Sequence, residues 1–142
     1  MASTLHTLAE TTCDSVKGYR KAAEKANSPQ LKQQLQQCAQ TREQTLQKLN
    51  DALRQMGEEP VVDGTTLGSA HQAFLSIADA FESGDEAATE RVEEGEDYLK
   101  SKFESALKDD DLDPRARQVV QEAYQEIQQG ERFSDQLARQ YD

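Results

Sequence analysis

The sequence predicts an all-α protein built from four long helices and one short helix. Apolar residues recur three or four positions apart along most of the chain, which is the spacing of one face of a helix. Only three prolines and seven glycines interrupt the 142 residues. An apolar content of 35% without tryptophan is low for a compact sandwich, but it suits elongated helices that each bury one stripe. A chain of this length fits one domain, residues 1–142.

The first long helix is predicted over about residues 4–26, with Ser3 and Thr4 available as N-caps. Its inward positions are Leu5, Leu8, Thr12, Val16, Tyr19, Ala23 and Ala26. The helix ends at Asn27, because Ser28 is a good N-cap and Pro29 suits the first position of a following helix. The first two helices should therefore form an antiparallel hairpin.

The second long helix is predicted over residues 29–56, with Gly57 as its C-terminal cap signal. Its inward positions are Leu31, Leu35, Cys38, Arg42, Leu46 or Thr45, Leu49, Leu53 and Met56. A loop over residues 58–66 leads to a short helix, predicted over residues 67–82. The short helix contains neither lysine nor arginine, which favours docking on the long helices over lying on a membrane surface. Its apolar face carries Ala70, Phe74, Ile77 and Phe81.

The third and fourth long helices are predicted over residues 86–108 and 114–140. Ser83, Gly84 and Asp85 should end the short helix and cap the third, and Asp113 with Pro114 repeats the start seen at the second helix. The third helix directs Ala88, Val92, Gly95, Leu99, Phe103 and Ala106 inward. The fourth directs Ala116, Val120, Tyr124, Ile127, Glu131, Ser134, Leu137 and Tyr141 inward.

Three glycines lie inside predicted helices, where each costs about 1 kcal/mol relative to alanine. They are Gly18, Gly95 and Gly130. Either a close approach of a neighbouring helix or a local bulge would account for them.

The connection between the second and third long helices is too long for a simple turn. Its short helix spans about 24 Å at the helical rise, so the segment can carry the chain from one end of the molecule to the other. The second and third helices would then be parallel, which is the one-crossover topology of ferritin-like four-helix bundles. The alternative is an up-down-up-down bundle with the short helix folded across one end.

A polar layer is predicted at the midpoint of the bundle. Its members are Thr12, Arg42, Glu96 and Glu131. A buried arginine cannot lose its proton, and its donors fit one or two carboxylates well. The first interpretation is a buried ion pair that fixes the register of the helices. A layer exposed at an interface and a metal or small-ligand site are the two alternatives.

The metal alternative would use Glu43, Glu96, Glu126 and Glu131 as oxygen ligands for iron or another divalent metal. The sequence weakens this alternative, because it has no Glu-x-x-His pair of the kind that di-metal bundles use. Neither His6 nor His71 has a glutamate three residues before it. The guanidinium of Arg42 would also repel a cation. Our first expectation is therefore no cofactor and no catalytic residue.

Charge and hydropathy exclude several classes of partner. The net charge of −11 opposes binding to nucleic acid and to anionic lipid, and it could attract basic proteins. Residues 1–10 lack the pattern of a signal peptide, and no apolar stretch approaches the ~20 residues that span a bilayer. A cytoplasmic location is therefore expected. Cys13 and Cys38 are expected to be reduced, half-buried thiols, because they would lie about one helical turn out of level.

Three short stretches resemble a bacterial family of unknown function that has a ferritin-like four-helix bundle. They are residues 17–24 (KGYRKAAE), residues 56–60 (MGEEP) and residues 94–97 (EGED). The short helix with His71 resembles the same family, and the resemblance covers nearly the whole chain. It implies a small cytoplasmic bacterial protein linked to stress, with no established reaction. The chain departs from the family pattern at Val16-Lys17 and at Glu131-Arg132, where acidic residues and a histidine are expected, and this departure weakens a metal site further.

Two hypotheses of function follow. The first is a non-enzymatic binding or scaffolding module that acts through a protein partner or through dimerisation, since the sequence has no phosphate-binding loop, nucleophile elbow or CxxC pair. The second is a ferritin-like metal-binding protein or oxidase with a degenerate carboxylate site.

Overall fold

A computed structural model of the chain describes residues 2–62, 69–110 and 112–141, leaving out the side chains of residues 2, 69–73 and 75. Helix α1 is Ala2–Lys25, α2 is Pro29–Gln55, α3 is Ser69–Ala80, α4 is Asp85–Leu107 and α5 is Pro114–Gln140. A short 3₁₀ turn, Phe81–Ser83, follows α3, and no strand occurs within the described ranges. The prediction of an all-α fold is confirmed. The predicted positions Leu67 and Ala70 lie outside the described residues and side chains.

Helices α2 and α5 start with the same local structure. The Ser28 hydroxyl accepts a hydrogen bond from the amide of Leu31 at 3.3 Å, and the Asp113 carboxylate accepts one from Arg115 at 2.8 Å. A proline follows each cap at the first helical position, where its missing N–H leaves no bond unmade. Both starts coincide with the predicted residues.

The starts of α1 and α4 differ from the sequence expectation. Ser3 and Thr4 lie inside α1, so neither is an N-cap, and the Thr4 hydroxyl faces the Asp109 carboxylate at 3.5 Å. Asp85 is the first residue of α4, and no side chain caps that helix. Gly84 precedes it with φ of 105°, a conformation that only glycine adopts without strain, and so turns the chain from the 3₁₀ turn into α4.

The end of α2 is a Schellman motif. The amide of Glu58 donates to the carbonyl of Leu53 at 2.9 Å, and the amide of Gly57 donates to that of Arg54 at 3.0 Å. Gly57 takes the left-handed conformation that the motif requires, with φ of 78°. This early end leaves Met56 outside the helix and 38% exposed, so its predicted place in the core is wrong.

The long helices are arranged as two hairpins that run side by side. Helix α1 packs along α2, and α4 packs along α5. Helix α3 lies between α1 and α4, and α2 contacts α5 less extensively. The interior is apolar along one stripe of each helix, as shown by Leu5, Leu35, Leu99 and Ile127, which are all fully buried.

Contacts at the helix ends fix their directions. The start of α1 meets the segment after α4 through Thr4 and Asp109, so α1 and α4 are antiparallel. The start of α2 meets the end of α5, where the Gln34 and Gln140 side chains are 3.4 Å apart. Because α1 and α2 form a hairpin, α2 and α4 run in the same direction. The chain between them therefore crosses from one end of the molecule to the other.

Helix α3 fits into a groove that two glycines open. A Cβ atom at Gly18 would lie 2.6 Å from the Cβ and 2.9 Å from the carbonyl oxygen of Phe74. A Cβ at Gly95 would lie 2.9 Å from the ring of the same phenylalanine. The glycines of α1 and α4 thus allow close approach of α3 and are not bulges. The Phe74 ring also packs edge-on against Tyr19, with centroids 6.2 Å apart.

The connection that leaves α2 is anchored by one asparagine. The Asn50 side chain donates to the carbonyl of Val61 at 2.9 Å and accepts from its amide at 2.8 Å. Both residues are buried, so these bonds replace the water that the Val61 backbone loses. Within the described residues, no helix is both long and apolar enough to cross a membrane.

Candidate functional site

A buried ion pair joins α2 to α4 at mid-length. The Arg42 Nη2 atom donates to Glu96 Oε1 at 2.6 Å, and the two side chains are only 2% and 1% exposed. Helical periodicity places Arg42 on the apolar stripe of α2, and Glu96 follows Gly95 on the inner face of α4. The structure therefore brings together two members of the predicted polar layer. A pair this deep is held by mutual neutralisation, since either charge alone would be costly to bury.

Tyr19 is the third member of this site. Its hydroxyl donates to the same Glu96 oxygen at 2.5 Å, and the residue is fully buried on α1. The apolar spacing of α1 predicts Tyr19 as an inward stripe residue but does not predict this bond. The available signal was that a buried tyrosine hydroxyl nearly always has a hydrogen-bond partner. Three helices thus meet at one carboxylate.

The electrostatic environment fixes the protonation of the site. Burial raises the pKa of Tyr19 well above 10, and the nearby Glu96 carboxylate raises it further. Burial alone would lower the pKa of Arg42, but the Glu96 carboxylate outweighs it and the pKa is raised. Burial and Glu96 raise the pKa of the half-buried Cys38 thiol to about 12. At neutral pH the arginine is therefore charged, and the phenol and the thiol keep their protons.

Gly130 of α5 makes room for the arginine head group. A Cβ atom at this position would overlap Arg42 Nη2 and would lie 3.1 Å from Glu96 Oε1. This third helix-interior glycine therefore allows the close approach of a side chain. Arg42 Nε and Nη1 are buried without a hydrogen-bond partner, as is Glu96 Oε2. The pair is neutral in charge but incompletely hydrogen-bonded.

The other two predicted members of the layer lie outside the ion pair. Thr12 is fully buried, but its hydroxyl donates to the carbonyl of Leu8 on its own helix at 2.7 Å. Glu131 contacts Lys100 Nζ at 2.8 Å, near the surface of the α4–α5 hairpin. By pairing with the partly solvated ammonium of Lys100, the Glu131 carboxylate avoids the desolvation that burial beside Arg42 would require. Thr12, Arg42 and Glu96 are thus buried as predicted, but only Arg42 and Glu96 form the ion pair, to which Tyr19 is bonded, while Glu131 pairs elsewhere.

The four candidate metal ligands are not brought together. Glu43 contacts Arg20 at 2.5 Å, and Glu126 contacts Lys48 at 2.6 Å and the Thr45 hydroxyl at 3.0 Å. Glu96 and Glu131 are held as described above. Within the described part of the chain, no three His, Cys, Asp or Glu residues form a group that could hold a metal. Because each of these carboxylates already faces a cationic side chain, the residues do not fit a divalent metal.

Among the histidine and cysteine side chains that the structure describes, Cys38 lies beside the ion pair. His6 bonds to Glu10 on the exposed face of α1 at 3.0 Å. The side chain of His71 lies outside what the structure describes. Cys13 is buried and Cys38 is half-buried, and neither forms a disulfide. With its pKa raised to about 12, Cys38 carries almost no thiolate at neutral pH and is a poor nucleophile.

The fold and the site define a class: an all-helical protein in which a deeply buried charge pair, with a tyrosine bonded to it, ties three helices together. The family model described as "Domain of unknown function (DUF2383)" matches residues 1–109, which include α1 to α4. The chain belongs to this family. The prediction of a domain-of-unknown-function family is thereby confirmed. No curated protein matches the chain.

Proposed function

We propose that the chain is a non-enzymatic binding or scaffolding module with the ferritin-like arrangement of four long helices. The shared direction of α2 and α4, with α3 in the crossing segment, supports that arrangement. The proposal includes the cytoplasmic, stress-linked bacterial setting that the family resemblance implies. It also includes a protein partner, either basic in charge or a second copy of the chain.

One observation carries the proposal: the mid-length carboxylate already has a structural role. Glu96 accepts from both Arg42 and Tyr19, so its charge is used to join helices. A ferritin-like oxidase needs that position for a metal ligand. Here Glu96 bonds to the guanidinium of Arg42 instead. The fold then acts as a rigid support for the surfaces of the protein.

The surface supports a basic partner over nucleic acid or anionic lipid. The net charge is −11, and acidic residues face one another across α4 and α5. Repulsion from Asp135 and Asp97 adds to burial in raising the pKa of Glu93. Such a surface attracts cations and repels polyanions.

The metal-binding alternative is tested by elemental mass spectrometry on untagged protein from cells supplied with iron, manganese, copper and zinc. We expect less than stoichiometric metal and no gain of thermal stability from any of the four. Stoichiometric, tightly held metal that is lost in Glu96→Gln but kept in Glu90→Gln, an exposed control on the same helix, would reverse the assignment.

The binding role is tested by sedimentation velocity from micromolar to millimolar protein and by titration with a short oligolysine peptide at physiological salt. We expect either a concentration-dependent dimer or saturable peptide binding. A protein that stays monomeric throughout and also ignores the peptide would contradict the proposed partner chemistry.

A further inference from the structure

The glutamines of the chain are concentrated on two helices. Helices α2 and α5 carry nine and seven of the seventeen glutamines, whereas α1 and α4 carry none. On α2 and α5, all of them except Gln34 and Gln128 are exposed. Glutamine, lysine and glutamate have similar helix propensities, so helix formation alone does not account for this distribution.

The exposed sides of α2 and α5 meet along one seam. Polar contacts cross it, with Lys48 and Glu126 2.6 Å apart and Gln34 and Gln140 3.4 Å apart. Helical spacing places further glutamines along both edges of this seam. These residues form the glutamine face, which consists of Gln33, Gln37, Gln44 and Gln55 on α2 and Gln118, Gln125, Gln129 and Gln136 on α5.

The two helices of the glutamine face lack the negative charge of the rest of the protein. Together, α2 and α5 carry eight basic and six acidic residues. Helix α4 alone carries eight acidic and three basic residues, and the net charge of the chain is −11. Two copies of so acidic a protein repel each other in most orientations. Because repulsion follows the local distribution of charge, it is weak when the glutamine faces meet.

Apolar side chains lie in the floor of the seam. Phe133 and Cys38 line one hollow between α2 and α5, and Val119 and Met56 line another. Met56 is 38% exposed, which is unusual for a large apolar side chain in this protein. Apolar residues with a polar rim, and few lysines or glutamates, are typical of protein–protein interfaces. The glutamine face therefore has the composition of an interface.

A second copy of the chain is the partner that this face fits. A glutamine amide both donates and accepts hydrogen bonds, so a glutamine-rich surface is complementary to itself across a twofold axis. A basic partner would be attracted to α4 instead. Each helix has 27 residues, so the pair presents a surface of about 40 Å by 20 Å. This is close to the ~800 Å² that each partner buries in a stable complex.

We propose that the protein forms a twofold dimer in which α2 and α5 of one copy pack against α2 and α5 of the other through the glutamine face. The proposal rests on the scaffolding role, and it names the partner and the surface. Because the contact joins uncharged groups while the net charges repel, added salt should leave the dimer intact or strengthen it. Association through oppositely charged patches would weaken with salt.

Sedimentation velocity of the full chain, from micromolar to millimolar protein at about 0.05 M and about 0.5 M sodium chloride, tests the proposal. We expect a concentration-dependent dimer at both salt concentrations. Gln44→Glu with Gln125→Glu puts like charges on facing surfaces and should weaken the dimer at least about tenfold. Gln44→Lys with Gln125→Lys should also weaken it, even though this variant lowers the net charge of the protein.

A matched control separates the face from net charge. Ser101→Glu with Ser105→Glu adds the same two negative charges per copy at exposed positions of α4. At the higher salt concentration this variant should dimerise within about twofold of the wild type, because distant charges are screened. Circular dichroism checks that each variant keeps the helical content of the wild type.

Two kinds of result would overturn the proposal. A wild-type protein that stays monomeric at both salt concentrations has no such dimer, and binding of the oligolysine peptide by that monomer would leave the scaffolding role standing. A dimer that dissociates at high salt, that survives both pairs of substitutions at Gln44 and Gln125, or that is weakened equally by the α4 control does not use the glutamine face.

Discussion

A single carboxylate oxygen, Oε1 of Glu96, joins residues from three helices. It accepts from the guanidinium of Arg42 and from the hydroxyl of Tyr19, and all three side chains are almost entirely buried. Buried ion pairs add little net stability compared with apolar side chains of the same volume. Removing one partner, however, leaves the charge of the other buried without compensation. We therefore expect the pair to contribute more to the choice of helix register than to net stability.

Removing one partner of the pair should be far more damaging than removing both. We expect Arg42→Met or Glu96→Gln alone to lower the free energy of unfolding by about 3–5 kcal/mol, measured by urea denaturation. The double variant Arg42→Met with Glu96→Gln should lose much less than the sum of the two single losses.

An exposed ion pair provides the control for this cycle. Arg54 and Asp51 lie 2.8 Å apart on α2, and both are more than half exposed. Arg54→Met should change stability by less than about 1 kcal/mol. Two results would contradict the expectation that burial makes the Arg42–Glu96 pair important. One is an equal loss of unfolding free energy in the Arg42 and Arg54 variants, and the other is simple additivity in the double variant.

Among the elements, α3 depends most on exact packing. It is short, and it docks on α1 and α4 through Phe74, which sits against Gly18 and Gly95. The energetic cost of these helix-interior glycines is offset by the close approach that they allow. The identity of the obstructing atoms differs between them: the Cβ and the backbone carbonyl of Phe74 at Gly18, and the edge of its ring at Gly95.

This difference leads to a prediction for alanine substitutions. Gly18→Ala should destabilise the protein by about 1–3 kcal/mol despite its better helix propensity, because the α3 backbone would have to move. Gly95→Ala should cost less, because the Phe74 ring can rotate away. Thermal unfolding of both variants, alone and with Phe74→Leu, measures the effect.

The leucine background separates the two glycines. In Phe74→Leu the cost of Gly95→Ala should disappear, while that of Gly18→Ala should persist, since the Cβ and the backbone carbonyl of residue 74 remain. A Gly18→Ala variant as stable as the wild type would show that α3 does not approach α1 as closely as described.

At the scale of the whole molecule, the negative charge is unevenly distributed between the helices. Burial, together with repulsion from neighbouring carboxylates on α4 and α5, raises the pKa values of Glu93 and Asp97 above their ordinary values of 4.5 and 3.8. A raised pKa means that the folded state holds the proton more tightly than the unfolded state. The stability from these groups is therefore present at low pH and is lost as the pH rises through the folded-state values.

Neutralising one of these carboxylates should make the protein more stable at neutral pH. We expect Glu93→Gln to raise the melting temperature at pH 7 and to flatten the rise in stability on mild acidification, measured by circular dichroism between pH 5 and pH 8. Glu90→Gln removes the same charge from an exposed position on α4 and is the matched control. Identical pH profiles for the two variants would assign the effect to net charge alone.

Much of the fold was predictable, because the spacing of apolar residues along a helix shows which of its faces is buried. The inward positions of α1 and α4 follow directly from the three-and-four period, and the starts of α2 and α5 follow from Ser28-Pro29 and Asp113-Pro114. The position of Arg42 on an apolar stripe likewise predicts a buried partner. These are properties of single helices, and they need no knowledge of the neighbours.

The amino-acid sequence by itself determined the all-helical class, the helix limits to within a few residues and the presence of a buried charge. Only the tertiary structure decided that Glu96 pairs with Arg42 while Glu131 pairs with Lys100. It also decided that Tyr19 bonds to the pair and which neighbouring atoms lie against each helix-interior glycine. Those outcomes depend on the rotation and axial offset of helices that are far apart in the chain. A shift of one residue would reassign every contact, so the local pattern does not contain them.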